Sequence, residues 1–305
     1  MADDTRASAD SLRVEPHLDA ANPVLTGGDV TDRRHVTFVA DPFVVRDDGY
    51  HLFFEVKRRD RWPAFGLRNT DARFNIGHAT SPDGTGWRYE GVVLPAEQAE
   101  HTYPHVFEHD DDWLMVPSPA GRTPDELRVY RADPFPDTWE LIHTALSGEV
   151  RIDPTPFRFE GRWYLVYQET GTYDVCLRYA DDLFGAWTEH PASPLFSPGG
   201  NDIAPGGRPL VRDEGVELFF RRGTPGIVEH WRVTELSPDS WSMHERDSSP
   251  ILSGTGEPGA WNGRNMHHVD ARVAVAGADA PVAVDGQDTD GVYRLGVYAA
   301  ADNQA

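Results

Sequence analysis

The feature that most constrains the fold of this chain is an internal repeat of about 50 residues. Each unit opens near an X-Pro step, runs into an apolar strand, crosses a short polar turn and continues into a second apolar strand. Two apolar runs separated by such a turn are typical of a β-hairpin. Four of these hairpins begin at residues 41–45, 103–107, 155–159 and 208–211.

A third strand and then a tryptophan follow each hairpin, and a repeat of this length is typical of β-propeller blades. The four tryptophans are Trp87, Trp139, Trp187 and Trp241. A fifth unit has no closing tryptophan, but the N-terminal segment resembles the end of the third unit. We therefore predict an all-β, five-bladed β-propeller whose ring is closed by an N-terminal strand, which would remove open sheet edges.

We expect residues 1–305 to form one domain. The expected blades cover approximately residues 38–92, 100–145, 150–197, 204–252 and 264–300, and the closing strand covers about residues 11–25. In the fifth blade, we predict the first strand at residues 266–275 and later strands at residues 291–293 and 294–298.

The chain is strongly acidic, with 50 Asp and Glu against 28 Lys and Arg and a net charge of −22. Lys57 is its one lysine. This balance favours a halophilic protein over an ordinary acidic one, since halophiles tolerate such self-repulsion by counter-ion screening. Nucleic acids and anionic membranes require a basic surface, so we expect neither as a partner.

The sequence contains no strong signal for membrane insertion, secretion or disulfide formation. No apolar run reaches the about 18 residues of a membrane helix, and residues 1–4 lack the features of a secretory signal. We therefore expect no membrane span and a cytoplasmic location. Cys176 stands alone in an apolar run, which indicates a buried core residue rather than a disulfide or a thiolate metal site.

The candidate site lies where the first strands of the blades begin, because these strands surround the axis of a propeller and ligands bind at one mouth. The inner strands supply Asp41, Tyr103, His105, Asp153, Arg208, His267, His268 and Asp270. The second strands end with Glu55, Lys57, Glu169, Arg221 and Arg222.

Paired carboxylates across a cleft are typical of glycosidic bond cleavage. We expect Asp41 to act as base or nucleophile, Asp153 to tune and position it, and Glu55 or Glu169 to act as the acid. The alternative for an Asp-Pro step is a turn or cap without a catalytic role.

The basic residues predict an anionic ligand. Arginine recognises phosphate or carboxylate through two parallel hydrogen bonds, so Lys57, Arg208, Arg221 and Arg222 would bind a phosphosugar, a nucleotide sugar or a uronate. The alternative is a structural ion-pair network with the carboxylates.

The adjacent His267 and His268 point to opposite faces of a strand and cannot both reach one metal. A metal held with His105 and Asp270 is a weaker hypothesis than a hydrogen-bonding or proton-shuttling histidine. We predict no metal and no cofactor.

Residues 41–43 and 152–157 resemble the catalytic base and the pKa-modulating aspartate of glycoside hydrolase family 43. That resemblance implies a general-acid glutamate at the start of the fourth blade, where this chain has Gly207.

Residues 40–43, 52–57, 103–107 and 206–209 more closely resemble the N-terminal propeller region of plant glucosamine inositolphosphorylceramide transferases. This resemblance covers roughly residues 38–235 and implies a glycan or glycolipid context. We therefore expect a carbohydrate-active enzyme, glycosidase-like or glycosyl-transferring. A non-catalytic glycan-binding propeller that assists a separate transferase is the alternative.

Overall fold

The computed structural model describes residues 12–59, 72–121, 123–148, 151–200, 202–213, 215–223, 226–272 and 280–301. Within these ranges the strands form five sheets arranged as a five-bladed β-propeller, which confirms the predicted fold class. A short 3-10 helix, Gly27–Asp29, precedes the first blade. No helix in this part of the chain is long and apolar enough to cross a membrane.

The first three blades are four-stranded antiparallel meanders, whose first strand is innermost. Blade 1 contains β2 (Val36–Arg46), β3 (Tyr50–Arg59), β4 (Ala72–Ser81) and β5 (Arg88–Leu94). Blade 2 contains β6 (His101–His109), β7 (Asp112–Pro119), β8 (Glu126–Ala132) and β9 (Trp139–Ser147). Blade 3 contains β10 (Arg151–Phe159), β11 (Arg162–Glu169), β12 (Val175–Ala180) and β13 (Thr188–Glu189).

The fourth and fifth blades are less regular. Blade 4 contains β14 (Ile203–Pro205), β15 (Leu210–Arg212), β16 (Gly215–Arg222), β17 (Ile227–Leu236), β18 (Trp241–Glu245) and β19 (Leu252–Ser253). Blade 5 contains β20 (Val269–Asp270), β21 (Val282–Gln287), β22 (Tyr293–Ala300) and the N-terminal strand β1 (Val14–Pro16).

The ring closes where β1 pairs antiparallel with β22, so that Val14 lies opposite Ala300. Further along the chain, the backbone N–H groups of Val24 and Leu25 donate to the carbonyl of Leu295. The predicted closure by an N-terminal strand is therefore confirmed.

The fifth blade differs from the sequence prediction in detail. Its first strand is the two-residue β20 instead of residues 266–275, of which 273–275 lie outside the described residues. The two late strands predicted at residues 291–293 and 294–298 are replaced by one continuous strand, β22. The prediction missed β21, because its first five residues are all buried and their sequence lacks a period-2 signal.

Five hydrophobic clusters stabilise the ring, and each lies between two neighbouring blades. Between blades 1 and 2, for example, Phe53 and Ile76 pack with Val106 and Met115. The repeated tryptophans stand immediately before or at the start of each outermost strand, and Trp139 belongs to that same cluster. Because the blades bury apolar surface against one another, the innermost strands are held close together at the centre.

Candidate active site

One backbone irregularity recurs on the inner strands and positions the candidate acids. Asp41, Tyr103 and Asp153 have positive φ values of 51°, 48° and 53°, and each lies at a register shift within its hairpin. Non-glycine residues adopt this left-handed region rarely, although aspartate tolerates it. Gly207, with φ of 148°, has the corresponding place in blade 4. The bulges interrupt strand alternation and bring the two aspartates into one group.

That group, which we name the carboxylate end, consists of Asp41, Glu55, Asp153, Arg221, His267 and Asp285. Glu55 lies opposite Ala40 in the β2–β3 pair, which brings its carboxyl group within hydrogen-bonding reach of Asp41. Arg221 Nε lies 3.4 Å from Asp153 Oδ2, and His267 Nδ1 lies 2.8 Å from Asp285 Oδ2. The backbone N–H of Asp41 donates to Asp285 Oδ2 at 3.1 Å, which joins the two halves of the group.

Burial changes the protonation of the Asp41–Glu55 pair. It raises the pKa of Asp41 to about 7; His267 and Arg221 oppose this shift, while Asp153 and Asp285 add to it. Burial, followed by the charge of Asp41, raises the pKa of Glu55 well above its ordinary value. At neutral pH the pair therefore retains a proton.

His267 and Asp285 form a buried ion pair beside these carboxyls. Burial acts to raise the pKa of the fully buried Asp285, but His267, His268 and the backbone N–H of Asp41 together lower it. Burial acts to lower the pKa of His267, but Asp285 and Asp41 together raise it. The backbone N–H groups of His267 and His268 also donate to Asp285 Oδ1, each at 3.1 Å.

Asp41, His267 and Asp285 could also hold a cation, because their ligand atoms lie within 4.8 Å of one another. This trio differs from the His105 and Asp270 set considered from the sequence. Hydrogen bonding alone accounts for its geometry, since Asp285 accepts three backbone N–H groups and the ring N–H of His267.

Aromatic side chains and one lysine flank the carboxylate end. Lys57 Nζ lies 4.7 Å from the ring centre of Phe38 and 5.2 Å from that of Phe74. Tyr293 stacks on His267, with ring centroids 4.6 Å apart. Aromatic faces beside polar groups suit a ligand that has both apolar and hydroxyl-bearing surfaces.

Arg208 and Asp270 are placed differently from the sequence prediction. Arg208 is 2% exposed, and its Nε donates to both carboxylate oxygens of the fully buried Asp270, at 2.9 and 3.0 Å. The structure therefore brings this arginine into a buried network with Asp270 at the centre of the ring rather than into the carboxylate end.

Three other predicted binding residues are also buried at the centre. His105 and His268 pack on Phe43, with ring centroids 4.9 and 4.7 Å away, and Tyr103 contacts the same ring. Tyr103 Oη lies 3.0 Å from Thr155 Oγ1. Burial lowers the pKa of His268 to about 4 and that of His105 well below its ordinary value, so both rings are neutral. We name Phe43, Tyr103, His105 and His268 the central aromatic layer.

Glu169 is not brought into the carboxylate end. Register places Gln168 opposite Ile152, as Glu55 lies opposite Ala40, whereas Glu169 lies one residue further. Neighbouring residues on a strand face opposite sides, so Gln168 has the inward position. Glu169 Oε2 instead accepts a hydrogen bond from Thr172 Oγ1 at 2.8 Å in the following turn.

Arg222 also points away from the carboxylate end, because it follows Arg221 on β16 and therefore faces the opposite side of the strand. Its guanidinium pairs with Glu229 on the neighbouring strand β17 and lies over the ring of Phe196. Of the two adjacent arginines, only Arg221 contacts Asp153 in the described contacts.

Sequence reasoning missed two residues of this region, Asp285 and Tyr293. The available signal for Asp285 was a single acid at the end of the apolar run at residues 282–284. An acid in such a run requires buried partners, and here it finds four N–H donors.

The backbone of blade 4 excludes an acid at position 207. A Cβ atom on Gly207 would lie 1.9 Å from the carbonyl oxygen of Val269, far inside van der Waals contact. Gly207 N–H also donates to Tyr103 Oη at 3.2 Å. The position implied for a family 43 acid is therefore filled by neighbouring backbone.

Structural comparison finds propellers that act on carbohydrates. The β-1,2-mannobiose phosphorylase from Listeria innocua matches with a TM-score of 0.70 and 14% identity, over 95% of this chain and 96% of that one. The catalytic domain of the Coprinopsis cinerea α-L-arabinofuranosidase of family 62 matches with a TM-score of 0.64 and 13% identity, over 95% and 98%. At these identities the likeness shows a shared fold.

Sequence comparison is more specific. Two rice proteins called glucosamine inositolphosphorylceramide transferase 1, from Oryza sativa subspecies indica and japonica, are each 30% identical over 272 residues. The matches cover 84% of this chain, which spans about a third (34%) of the length of either relative. The profile of the glucosamine inositolphosphorylceramide transferase 1 N-terminal family matches residues 13–287. The chain therefore belongs to this N-terminal family of five-bladed propellers.

Proposed function

We propose that the carboxylate end binds a sugar and that the protein is an enzyme acting on a glycosidic or glycosyl-phosphate linkage. The family is named for a glycosyl-transferring protein, and solved structures of the same fold include a disaccharide phosphorylase and an arabinofuranosidase. Both facts support a carbohydrate ligand, while the reaction is argued from the site itself.

The observation that carries the proposal is the buried Asp41–Glu55 pair, which register brings together on β2 and β3 and whose pKa values are raised. A carboxyl pair that shares a proton near neutral pH can donate it to a leaving oxygen and recover it from an incoming hydroxyl. In this proposal Glu55 is the donor and Asp41 the base. Asp153, held by Arg221 and by the hydroxyl of Ser118, tunes and positions the pair.

The geometry also limits the mechanism. Retaining glycosidases separate their two carboxyls by about 5–5.5 Å so that these can act from opposite sides of the sugar. Two carboxyls within hydrogen-bonding reach are closer than that, so Asp41 and Glu55 would act from the same side of the sugar. This arrangement favours transfer between two oxygens over the two-sided attack of a typical hydrolase.

An anionic sugar is the substrate class that we propose. Arg221, Lys57 and the positive His267 are the cationic groups around the pair. Arginine binds phosphate and carboxylate through two parallel hydrogen bonds, and lysine binds them as a point charge. A phosphosugar, a nucleotide sugar or a uronate would satisfy these groups.

A ligand screen tests this proposal, because a ligand that binds only the native state raises thermal stability. Sugar phosphates, nucleotide sugars, uronates and neutral oligosaccharides would be compared on the wild type and on Arg221→Gln. We expect anionic sugars to raise the unfolding temperature of the wild type more than that of the variant. A rise with neutral oligosaccharides alone would contradict the anionic substrate, and no rise with any sugar would contradict the site.

The second candidate is a non-catalytic glycan-binding propeller that assists a separate glycosyltransferase. The observation that favours it is Gly207, where close backbone contact leaves no room for an acid in blade 4. Asp41→Asn separates the two candidates. It should abolish turnover in an enzyme while leaving ligand affinity largely unchanged in a binding module.

A further inference from the structure

A second concave site lies at the other end of the inner strands. The cavity has a volume of about 510 Å³ and lies where β6, β10 and β15 end. Asp153 and Arg158 stand five residues apart on β10, about 15 Å along the strand, so the cavity opens away from the carboxylate end. Four arginines line it, and we name them the arginine end: Arg158, Arg208, Arg212 and Arg272.

The charge of this cavity is opposite to that of the whole chain. Its lining contains four arginines against the two carboxylates Glu108 and Asp110, whereas the net charge of the chain is −22. Asp110 is itself 3.5 Å from His109. Positive charge concentrated in a cleft of a low-dielectric body attracts anions from solution.

Two of these arginines are incompletely neutralised by protein groups. Among the described residues, the hydrogen bond found for the Arg158 guanidinium runs from Nε to the carbonyl of Gly161 at 3.4 Å, with no carboxylate in ion-pair range. Arg212 Nε is buried without a hydrogen-bond partner in the same set, and lies 4.0 Å from Glu217 Oε2. Glu217 already lies 3.5 Å from Arg232.

The floor of the cavity is also positively charged, although Asp270 partly neutralises the arginine there. Arg208 Nη2 is buried and lies 2.9 Å from Asp270 Oδ2, but it has no partner in hydrogen-bond geometry within the described part of the chain. Burial and the charge of Arg208 both lower the pKa of the nearby Arg272. Asp270 and Glu108 oppose this shift. Because a guanidinium does not lose its proton in proteins, an anion bound in the cavity would reduce the remaining repulsion further.

We propose that the arginine end is an anion site that binds the phosphate group of a small molecule. The cavity volume falls within the range of small-ligand pockets, about 300–1,000 Å³. Planar guanidinium groups match the oxygens of phosphate, and several of them converge here. The overall negative charge of the chain would repel a nucleic acid, whereas a small phosphate ester can enter the cavity. This inference does not depend on the function proposed for the carboxylate end.

Isothermal titration at fixed ionic strength tests this site with inorganic phosphate, pyrophosphate and a hexose phosphate, and the neutral hexose serves as blank. Arg158→Gln and Arg272→Gln each remove one lining charge from a side chain that still reaches solvent. The matched control is Arg88→Gln, an exposed arginine on β5 that pairs with Glu90. We expect each lining variant to weaken phosphate binding by about tenfold or more, as the loss of a charged hydrogen bond does, and the control to leave it unchanged.

Several results would overturn the proposal. They are no phosphate binding by the folded wild type, equal weakening in Arg88→Gln, or equal binding of the neutral hexose. Loss of binding in Arg221→Gln with retention in both lining variants would also overturn it, and would assign the anion to the carboxylate end. Retention in Arg221→Gln with loss in the lining variants would support the second site, whatever the outcome for the proposed enzyme.

Discussion

Like charges lie close together at both ends of the inner strands, but the two ends differ in whether protonation can reduce their repulsion. At the carboxylate end, buried acids reduce their repulsion by keeping protons, so the pKa values of Asp41 and Glu55 rise. At the arginine end, side chains that cannot lose a proton retain their charge within one cavity. The first end therefore suits proton transfer, and the second suits the binding of an anion.

The middle of the ring keeps the two ends apart. The central aromatic layer lies between them: its His268 has Nδ1 3.7 Å from Asp41 Oδ1, and its His105 lines the cavity of the arginine end. In this layer His105 and His268 are neutral, because burial lowers the pKa of each. The two ends should therefore respond independently to substitution, apart from changes to the buried Arg208–Asp270 pair.

The largest effect is expected at Gly207. Gly207→Glu should prevent folding, because its Cβ would overlap the carbonyl oxygen of Val269 and its φ of 148° disfavours a side chain. Even Gly207→Ala should lower the free energy of unfolding by more than about 3 kcal/mol. Thermal unfolding checks this, with Gly161→Ala as the control, because Gly161 also has positive φ but has open space around its Cβ position. Equal stability of the two alanine variants would show that blade 4 can accept a side chain.

The next largest effect concerns turnover. Asp41→Asn and Glu55→Gln should each lower kcat by about 10²–10⁴-fold, the usual contribution of general acid–base groups. Glu169→Gln should leave kcat unchanged, because Glu169 bonds Thr172 outside the carboxylate end. Steady-state assays with the sugar identified by the ligand screen measure this. Loss of turnover in Glu169→Gln but not in Glu55→Gln would contradict the assignment of Glu55.

A third effect concerns the buried Arg208–Asp270 ion pair. Asp270→Asn should lower the free energy of unfolding by about 3–5 kcal/mol, since it leaves the Arg208 charge buried without its carboxylate. The surface pair Arg162–Asp181 provides the control, and Asp181→Asn should change the free energy of unfolding by at most about 1 kcal/mol. Denaturant titration measures both, and equal effects would mean that Arg208 is not held by Asp270.

The smallest effect is on the pH dependence of stability. The raised pKa of Asp41 means that the folded state binds the proton more tightly than the unfolded state, so wild-type stability falls as pH rises from about 4 through about 7. Asp41→Asn removes this loss and should be more stable than the wild type at pH 8 by about 1–3 kcal/mol. The difference should disappear near pH 4.

Asp83 provides a control in which stability changes with pH in the opposite direction. Hydrogen bonds from Thr85 and Gly86 lower the pKa of Asp83 to about 2, so its contribution is present above pH 4 and lost as pH falls. Asp83→Asn should therefore be less stable than the wild type at neutral pH. Denaturant titrations across pH check both signs, and a pH-independent difference for Asp41→Asn would contradict its raised pKa.

The fold could be predicted because each blade repeats one hairpin with the same spacing. The exception, β21, is a short buried strand whose pattern is apolar without alternation. At the site, Asp41, Glu55, Asp153 and Arg221 are brought together as the strand positions predicted. The roles of these residues remain predictions.

Three of the candidate residues, Glu169, Arg222 and Arg208, lie outside the carboxylate end for reasons of strand geometry. Glu169 and Arg222 are each one residue away from the inward position, and a shift of one residue reverses the face of a strand. Bulges at the inner-strand starts set that register, and their length cannot be deduced from composition. Arg208 lies deeper in the ring than the sequence predicted, because Asp270, 62 positions away, binds its guanidinium at the centre.

The central claim is that Asp41 and Glu55 share a proton near neutral pH. Carbon-13 NMR of the aspartate carboxyl carbons, followed across pH and assigned by comparison with Asp41→Asn, measures this directly. We expect a titration step with an apparent pKa of about 7 that disappears in the variant. A step for Asp41 near the ordinary value of 3.8, with none near neutral pH, would contradict it.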